Sequence, residues 1–353
     1  MCFICTMADK VFTFTLDLNW RLVNLISQID RFDASWSSIE RREGQSLKQL
    51  KSIATVRSVG ASTRIEGSQM SDEEVAVLIN EIDVTKPEDR DSQEVVGYFE
   101  TLDIIAESYN NIAITENDLK NLHNILMKHS KKDAWHKGNY KQHSNAVEAN
   151  YPDGTKQIIF QTTGAGFPTE DAIRALNTWY HQDTETHPLV KCALFAYEFL
   201  SIHPFQDGNG RLSRLLSTLL LMKAGYQWIQ YVSFEHEIEN RKAEYYRVLR
   251  SCQAQRPQEN VSEWVNFFFD ALRKIQVQLM QKLETKGKEG QLSPREKAII
   301  TFISNHPGSK SGDIAKKLAI PSPTVKRILT DLLNKSIIEK HGIGPGTNYT
   351  TAY

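Results

Sequence analysis

The sequence predicts a mainly α protein with one short β-hairpin, followed by a small second domain of three helices and a two-stranded wing. Three observations carry that prediction. Glycine and proline are scarce, 18 and 11 of 353 residues, against roughly 12% together in average usage, which leaves room for long helices. Apolar residues recur at helical spacing through most of the chain. The β-forming residues gather in one turn-rich stretch, and the composition turns basic after residue 292.

Each element follows from local signals. Residues 17–58 read as two helices, one carrying Leu18, Leu22, Leu25 and Ile29, the other Leu47, Leu50, Ile53 and Ala54. Ser71 with Glu74 three residues on forms a capping box for the helix of Val75, Leu78 and Ile79. After a charged break at Lys86–Asp91 comes a helix near 92–108, and Thr115 caps the next, with Leu119, Leu122 and Leu126. Between Trp135 and Pro168, Gly138, Pro152, Asp153, Gly154, Gly164 and Gly166 punctuate the chain, and the run Gln157–Thr163 between them predicts a hairpin or extended flap. Helices resume with Thr169 as a cap, over about 170–183, 187–202, from Gly210, 239–254 and 260–285. The polar run Glu284–Gln291 reads as a linker. Ser293 and Glu296 then make a fresh capping box, followed by helices near 294–305, 311–318 and 322–335 and a wing from Ile337 to Thr350.

Lys and Arg number 42 and Asp and Glu 43, a formal net charge of −1. That excludes a chain-wide basic field for nucleic acid or an acidic membrane. No apolar run approaches the roughly 18 residues of a spanning helix, and the N-terminus lacks the pattern of an export signal. The expectation is a cytoplasmic chain with no membrane partner. Cys2 and Cys5 form a lone C-x-x-C with no second Cys or His pair at zinc-ligand spacing, so all four thiols are expected to be free.

One segment departs from its surroundings. His203-Pro-Phe-Gln-Asp-Gly-Asn-Gly-Arg-Leu-Ser-Arg214 joins two apolar helices. Gly208, Asn209 and Gly210 tolerate positive φ, so their amides can turn inward as an anion-holding nest at a helix N-terminus. Arg211 and Arg214 lie three apart in the first turn of the new helix, where cations oppose the helix dipole. They make sense there if a multiply charged anion sits beside them, because guanidinium forks phosphate oxygens. Asp207 suits Mg²⁺, which takes one or two carboxylates plus phosphate oxygens, and His203 can act as a base near neutral pH. The plain alternative is a helix–loop–helix turn in which the glycines are punctuation.

The segment matches the Fic signature His-x-Phe-x-Asp/Glu-Gly-Asn-Gly-Arg-x-x-Arg at every fixed position, and the chain resembles that family. The resemblance implies a helical Fic core over residues 90–285 and a protein adenylyltransferase, moving AMP from ATP onto a hydroxyl side chain of a protein or of itself. It implies His203 as the base, Phe205 as an anchor in the core and Asp207 as the Mg²⁺ ligand. Gly208, Asn209 and Gly210 would cradle the phosphates, Arg211 would grip them and Arg214 would reach the γ-phosphate. Gly210, where kinase-like members carry Lys, favours AMP transfer. Asn240-Arg-Lys-Ala-Glu-Tyr-Tyr246 is similar to a stretch that follows the motif in the family, with Asn240 and Tyr246 lining an adenine pocket. The strand with Ile158, Ile159 and Phe160 takes the place of the flap that docks the target. Homodimers are common in the family, with no residue here deciding the matter.

Ser62-Thr-Arg-Ile-Glu66-Gly67 fits the family's inhibitory pattern Ser/Thr-x-x-x-Glu-Gly/Asn. On a helix Ser62 and Glu66 share a face, and Gly67 is a natural stop. The resemblance implies an inhibitory helix at about 60–67, in an N-terminal region of residues 1–89, whose Glu66 pairs with Arg214 and blocks the γ-phosphate. Residues 286–291 are the expected linker. Residues 292–353 hold nine Lys or Arg against four Asp or Glu, and their order of elements resembles a winged-helix domain, with Ser322–Arg327 opening a recognition helix that meets DNA or, alternatively, another protein. Two other activities stay open: a DNA-binding regulator whose Fic core senses nucleotide, and removal of AMP from modified protein.

Overall fold

A computed structural model describes residues 14–82, 87–150, 156–290, 292–335, 337–342 and 344–351. Cys2, Cys5, Lys86 and the Pro152-Asp153-Gly154 turn lie outside the described residues. The chain divides into two compact units, residues 1–276 and 277–353.

The first unit opens with α1 (Trp20–Ile65), one unbroken helix of 46 residues where the sequence predicts two. At 1.5 Å per residue it runs about 70 Å. Nothing breaks it: it holds no proline, and buried Trp36 and Ile39 carry the apolar stripe through the polar stretch that suggests a gap. Asn19 caps its start, accepting from the Leu22 N–H at 2.9 Å. The expected inhibitory helix is the C-terminal end of α1. Gly67, at φ 105°, turns the chain out of it in the left-handed region that glycine adopts without strain.

Helix α2 (Asp72–Asn80) begins at the predicted Ser71–Glu74 capping box. Helix α3 (Arg90–Ser108) is capped by Asp89, and α4 (Glu116–Leu126) by a reciprocal Thr115–Asp118 box. Gly97 lets α3 and α4 touch, since a Cβ there would collide with the Leu126 carbonyl. Strand β1 (Ala146–Asn150) pairs antiparallel with β2 (Lys156–Gln161), Ala146 opposite Gln161 and Asn150 opposite Lys156, with a register shift at Val147/Glu148. This is the flap, and its strand ends two residues before the predicted Thr163. Helix α5 (Phe167–Gln182) starts behind Gly166 at φ 73°, so Thr169 lies inside it rather than capping it. Its hydroxyl donates to the Gly164 carbonyl instead.

Helices α6 (Pro188–Ile202) and α7 (Asn209–Lys223) are buried nearly all round and form the centre of this unit, as helices apolar on every face must be. Helix α7 packs on α6, α3 and α1. The predicted 239–254 helix is two, α8 (Phe234–Asn240) and α9 (Lys242–Gln253), broken at Arg241. Helix α10 (Ser262–Gly290) contains the boundary between the units. It also contains residues 286–290, expected as linker: a polar run without proline extends a helix already formed. Cys192 and Cys252 are free, buried thiols.

The second unit continues with α11 (Pro294–Asn305), α12 (Ser311–Lys317) and α13 (Ser322–Asn334), then β3 (Ile338–His341) antiparallel to β4 (Asn348–Thr351). The Ser293–Glu296 capping box opens α11 as predicted. Ile299, Ile303, Ile314, Val325, Ile328, Leu329 and Leu332 make its core. No helix among the described residues is long and apolar enough to cross a membrane.

Candidate active site

The loop of residues 203–208 joins α6 to α7. His203 ends α6 in the left-handed region, φ 54° and ψ 60°. Gly208, φ 78°, turns the chain into α7. Only these two residues of the segment adopt positive φ. Asn209 and Gly210 are instead the first turn of α7, so the expected nest is a helix N-terminus. Its first amide N–H groups have no carbonyl a turn back to bond, and the helix dipole points positive there.

Each side chain of the loop has a definite task. Phe205 is fully buried. Asn209 clasps it: Asn209 Oδ1 accepts from the Phe205 N–H at 2.9 Å, and Asn209 Nδ2 donates to the Phe205 carbonyl at 2.7 Å. The Asn209 side chain is thereby spent on the loop, leaving its backbone for any anion. His203 Nδ1 donates to the Leu200 carbonyl at 3.3 Å. A carbonyl only accepts, so the proton sits on Nδ1 and Nε2 keeps its lone pair. Burial pushes the imidazole down to about 4, and the ring is neutral near pH 7. Asp207 Oδ1 accepts from the Gly208 N–H at 2.5 Å and lies 3.4 Å from Arg211 Nη2. Burial alone would raise this carboxyl, but Arg211 and the Gly208 amide hold it below the ordinary range.

These groups surround an open cavity of about 250 Å³, lined by His203, Gln206, Asp207, Gly208, Asn209, Gly210, Arg214 and Glu66, with Tyr246 on the far side. Gln206 Oε1 and, across the cavity, Arg250 Nε are buried polar atoms with no partner among the described residues. Arg214 is 1% exposed. Its Nε donates to Ser62 Oγ at 2.8 Å, and its Nη2 to the Ser62 carbonyl at 3.0 Å and to Glu66 Oε1 at 2.8 Å. Burial would raise the Glu66 carboxyl, yet Arg214 and Arg211 together hold it below its usual value. A Cβ on Gly210 would collide with Glu66 Oε1, so the glycine is what lets the end of α1 close on the loop.

Of the residues singled out in the sequence, several fall elsewhere. Arg211 does not line the cavity. It is buried between Glu94, 3.4 Å from its Nη1, and Asp207, with its Nε unpartnered. Asn240 is exposed at the end of α8, because the helix break at Arg241 turns it away from α9. Ile158 and Ile159 are placed only as residues of β2, and Phe160 beside them is half-buried. Conversely, Leu249, Arg250 and Gln253 of α9 line the cavity beside Tyr245 and Tyr246, and the sequence reading does not name these three. The i, i+4 rows Tyr245–Leu249–Gln253 and Tyr246–Arg250 on one helix face were the available signal. His123 of α4, outside the signature segment, lays its ring flat on Phe205 with centroids 3.8 Å apart.

Two carboxylates among the described residues line the cavity: Glu66 is paired with Arg214, and Asp207 is the one whose chemistry suits a magnesium ion. Among the described residues its close contacts fall on Oδ1, and the residue lines the cavity. No group of three or more His, Cys, Asp or Glu among the described residues forms a protein-only metal site.

A helical bundle whose central loop offers a helix N-terminus, a neutral imidazole and a buried guanidinium to one cavity has the chemistry to hold an anion there. Comparison with known proteins shows what the chain is similar to. Residues 113–221 match the model of the Fic/DOC family. The chain is 24% identical over 319 residues to the protein adenylyltransferase Fic of Drosophila virilis, covering 85% of this chain and 60% of that protein. It is 28% identical over 210 residues to the one of Drosophila erecta, covering 58% and 39%. Thus the match spans less than two thirds of the length of either relative. The crystal structure of a Fic family protein from Desulfovibrio desulfuricans G20 superposes with a TM-score of 0.60 at 26% identity, over 95% of this chain and 97% of that one. The chain carries a Fic domain.

Proposed function

We propose that the chain is a protein adenylyltransferase that takes ATP with Mg²⁺ and transfers AMP to a Ser, Thr or Tyr hydroxyl of a target protein or of itself. The observation that carries the reading is the neutral His203, its Nε2 lone pair unspent, on a cavity that α7 faces with its N-terminus. In the reaction His203 Nε2 takes the proton of the target hydroxyl. The freed oxygen bonds to the α-phosphorus, the bond to the bridging oxygen breaks, and pyrophosphate leaves. The protein's share is alignment and charge stabilisation. The α7 amides and Arg214 face the phosphates, and Asp207 is the residue to hold Mg²⁺, which when bound spreads the phosphate charge. Tyr245, Tyr246 and Leu249 offer apolar and aromatic surface to the base. The antiparallel flap with Ile158, Ile159 and Phe160 has a backbone edge that an extended target segment can join.

Glu66 acts as a brake in this reading. Arg214 spends its Nη2 on Glu66 and on the Ser62 carbonyl, so a γ-phosphate that needs this guanidinium must first displace the carboxylate. Covalent transfer is tested with α-labelled ATP. Label should appear on protein in the Glu66→Gly variant and vanish when His203→Ala is added. A nucleotide sensor would bind reversibly and leave no label in either.

A second reading concerns residues 292–353. In α13, Val325, Ile328, Leu329 and Leu332 face the core while Lys326 and Arg327 are exposed, and the unit's helix–helix–helix–strand–strand order fits a winged helix. We read it as a duplex-DNA module. Its test is a salt-dependent mobility shift of duplex DNA by the full chain, weakened by Lys326→Glu with Arg327→Glu. No shift at low ionic strength rejects it.

A further inference from the structure

We propose that His123, outside the signature segment, is a positioning residue that sets the direction of the Asp207 carboxylate. The inference rests on the reading of Asp207 as the magnesium-holding residue of a nucleotide site.

His123 sits on α4 and is fully buried. The Gly138 N–H donates to its Nδ1 at 2.9 Å. A backbone N–H can only donate, so Nδ1 is the acceptor and the ring proton is on Nε2. That Nε2–H donates to the Asp207 carbonyl at 3.0 Å. The backbone around the ring thus fixes its tautomer. Gly138 reaches the ring because it is a glycine at φ 75°, where a Cβ would press on Asn124 Cβ at 3.1 Å.

The ring also holds the loop by its faces and edges. It lies parallel to Phe205 within 6°. A Cβ on Gly208 would stand 3.3 Å from His123 Nε2 and 3.1 Å from Met127 Sδ. The Asp207–Gly208 peptide is therefore held at both ends, its carbonyl by His123 and its N–H by Asp207 Oδ1. With the peptide plane fixed and Oδ1 tied to the next amide, the carboxylate has one direction left for Oδ2. His123 is absent from the cavity lining and reaches the site through the loop it holds, by its hydrogen bond to the Asp207 carbonyl. Groups that orient a metal-holding residue from behind are commonly worth about 10- to 100-fold in metal affinity.

The test uses the full chain in the Glu66→Gly background and α,β-methylene-ATP, whose α–β bridge cannot be cleaved. Affinity is measured by calorimetry with Mg²⁺ and with EDTA, alongside the melting temperature. His123→Phe keeps an aromatic ring on Phe205 and loses the donor, whereas His123→Gln restores a donor near Nε2. The expected result is a roughly tenfold loss for His123→Phe in Mg²⁺, none in EDTA, and recovery to within about threefold of the parent in His123→Gln. Equal losses in both buffers, no loss, or a Gln variant as weak as Phe would overturn the positioning role. Should His123→Phe not fold, His123→Asn, whose amide is too short to reach the Asp207 carbonyl, takes its place with the same expectation. A parent that binds the analogue in neither buffer overturns the nucleotide reading itself, and this inference with it.

Discussion

Replacing Glu66 with Gln removes one charge and keeps the volume, which isolates what the carboxylate does for the fold. Arg214 is 1% exposed and Glu66 30%, so the pair is desolvated mainly on the arginine side. Removing one partner of a fully buried pair costs roughly 3–5 kcal/mol, and a hydrogen bond to a charged group contributes about 1.5–3 kcal/mol. Arg214 keeps both of its Ser62 contacts, and Gln still offers an oxygen. We therefore expect a loss of about 2 kcal/mol, or about 3–4 °C in the melting transition of the larger unit. The pH dependence has a definite sign. The folded carboxyl lies below its ordinary value of 4.5, so its contribution is complete above that value and disappears as pH falls through the lowered one. The gap between parent and Glu66→Gln should stay constant from about pH 8 to 5 and close below 4.5. Thermal melts over that range are the assay. A Gln variant as stable as the parent at pH 7, or a gap that widens on acidification, would refute the reasoning.

Three further outcomes follow from the same geometry. Gly208→Ala forces a Cβ into a left-handed residue pressed on Met127 and His123, and should cost about 1–3 kcal/mol by calorimetric melting together with transfer activity. Because burial holds His203 down to about 4, the acid limb of AMP transfer in the Glu66→Gly variant should lie near that value. A pH–rate profile that already falls at 6.5 contradicts it. Arg64 secures the end of α1, donating to Glu239 Oε1 at 2.6 Å and Oε2 at 3.0 Å and to the Met70 carbonyl at 3.0 Å. Arg64→Ala should raise covalent labelling in the parent and leave it unchanged in Glu66→Gly.

What could be read in the sequence was whatever is local. Capping boxes at Ser71 and Ser293 name their helices because the partners lie three residues apart, and Thr115 names its helix as a cap. The signature loop is equally visible, since one dozen consecutive residues hold His203, Asp207 and Arg214. The meeting of Ser62 and Glu66 with Arg214 was legible only through resemblance, because it joins residues about 150 apart in the chain. Interruptions were harder. The polar stretch between Ile29 and Leu47 reads as a gap between two helices, yet Trp36 and Ile39 are buried within it and packing overrides the local preference. The linker at 286–290 fails for the same reason in reverse, since nothing there terminates α10. His123 left no mark of its own in the sequence: its importance comes from what α4 lies against.

The most direct measurement is the intact mass of the full chain after incubation with ATP and Mg²⁺, comparing parent, Glu66→Gly and Glu66→Gly with His203→Ala. The account predicts a mass gain of one or more AMP groups in Glu66→Gly, little in the parent and none in the double variant. Identical spectra for all three, or a gain that survives loss of His203, would contradict it.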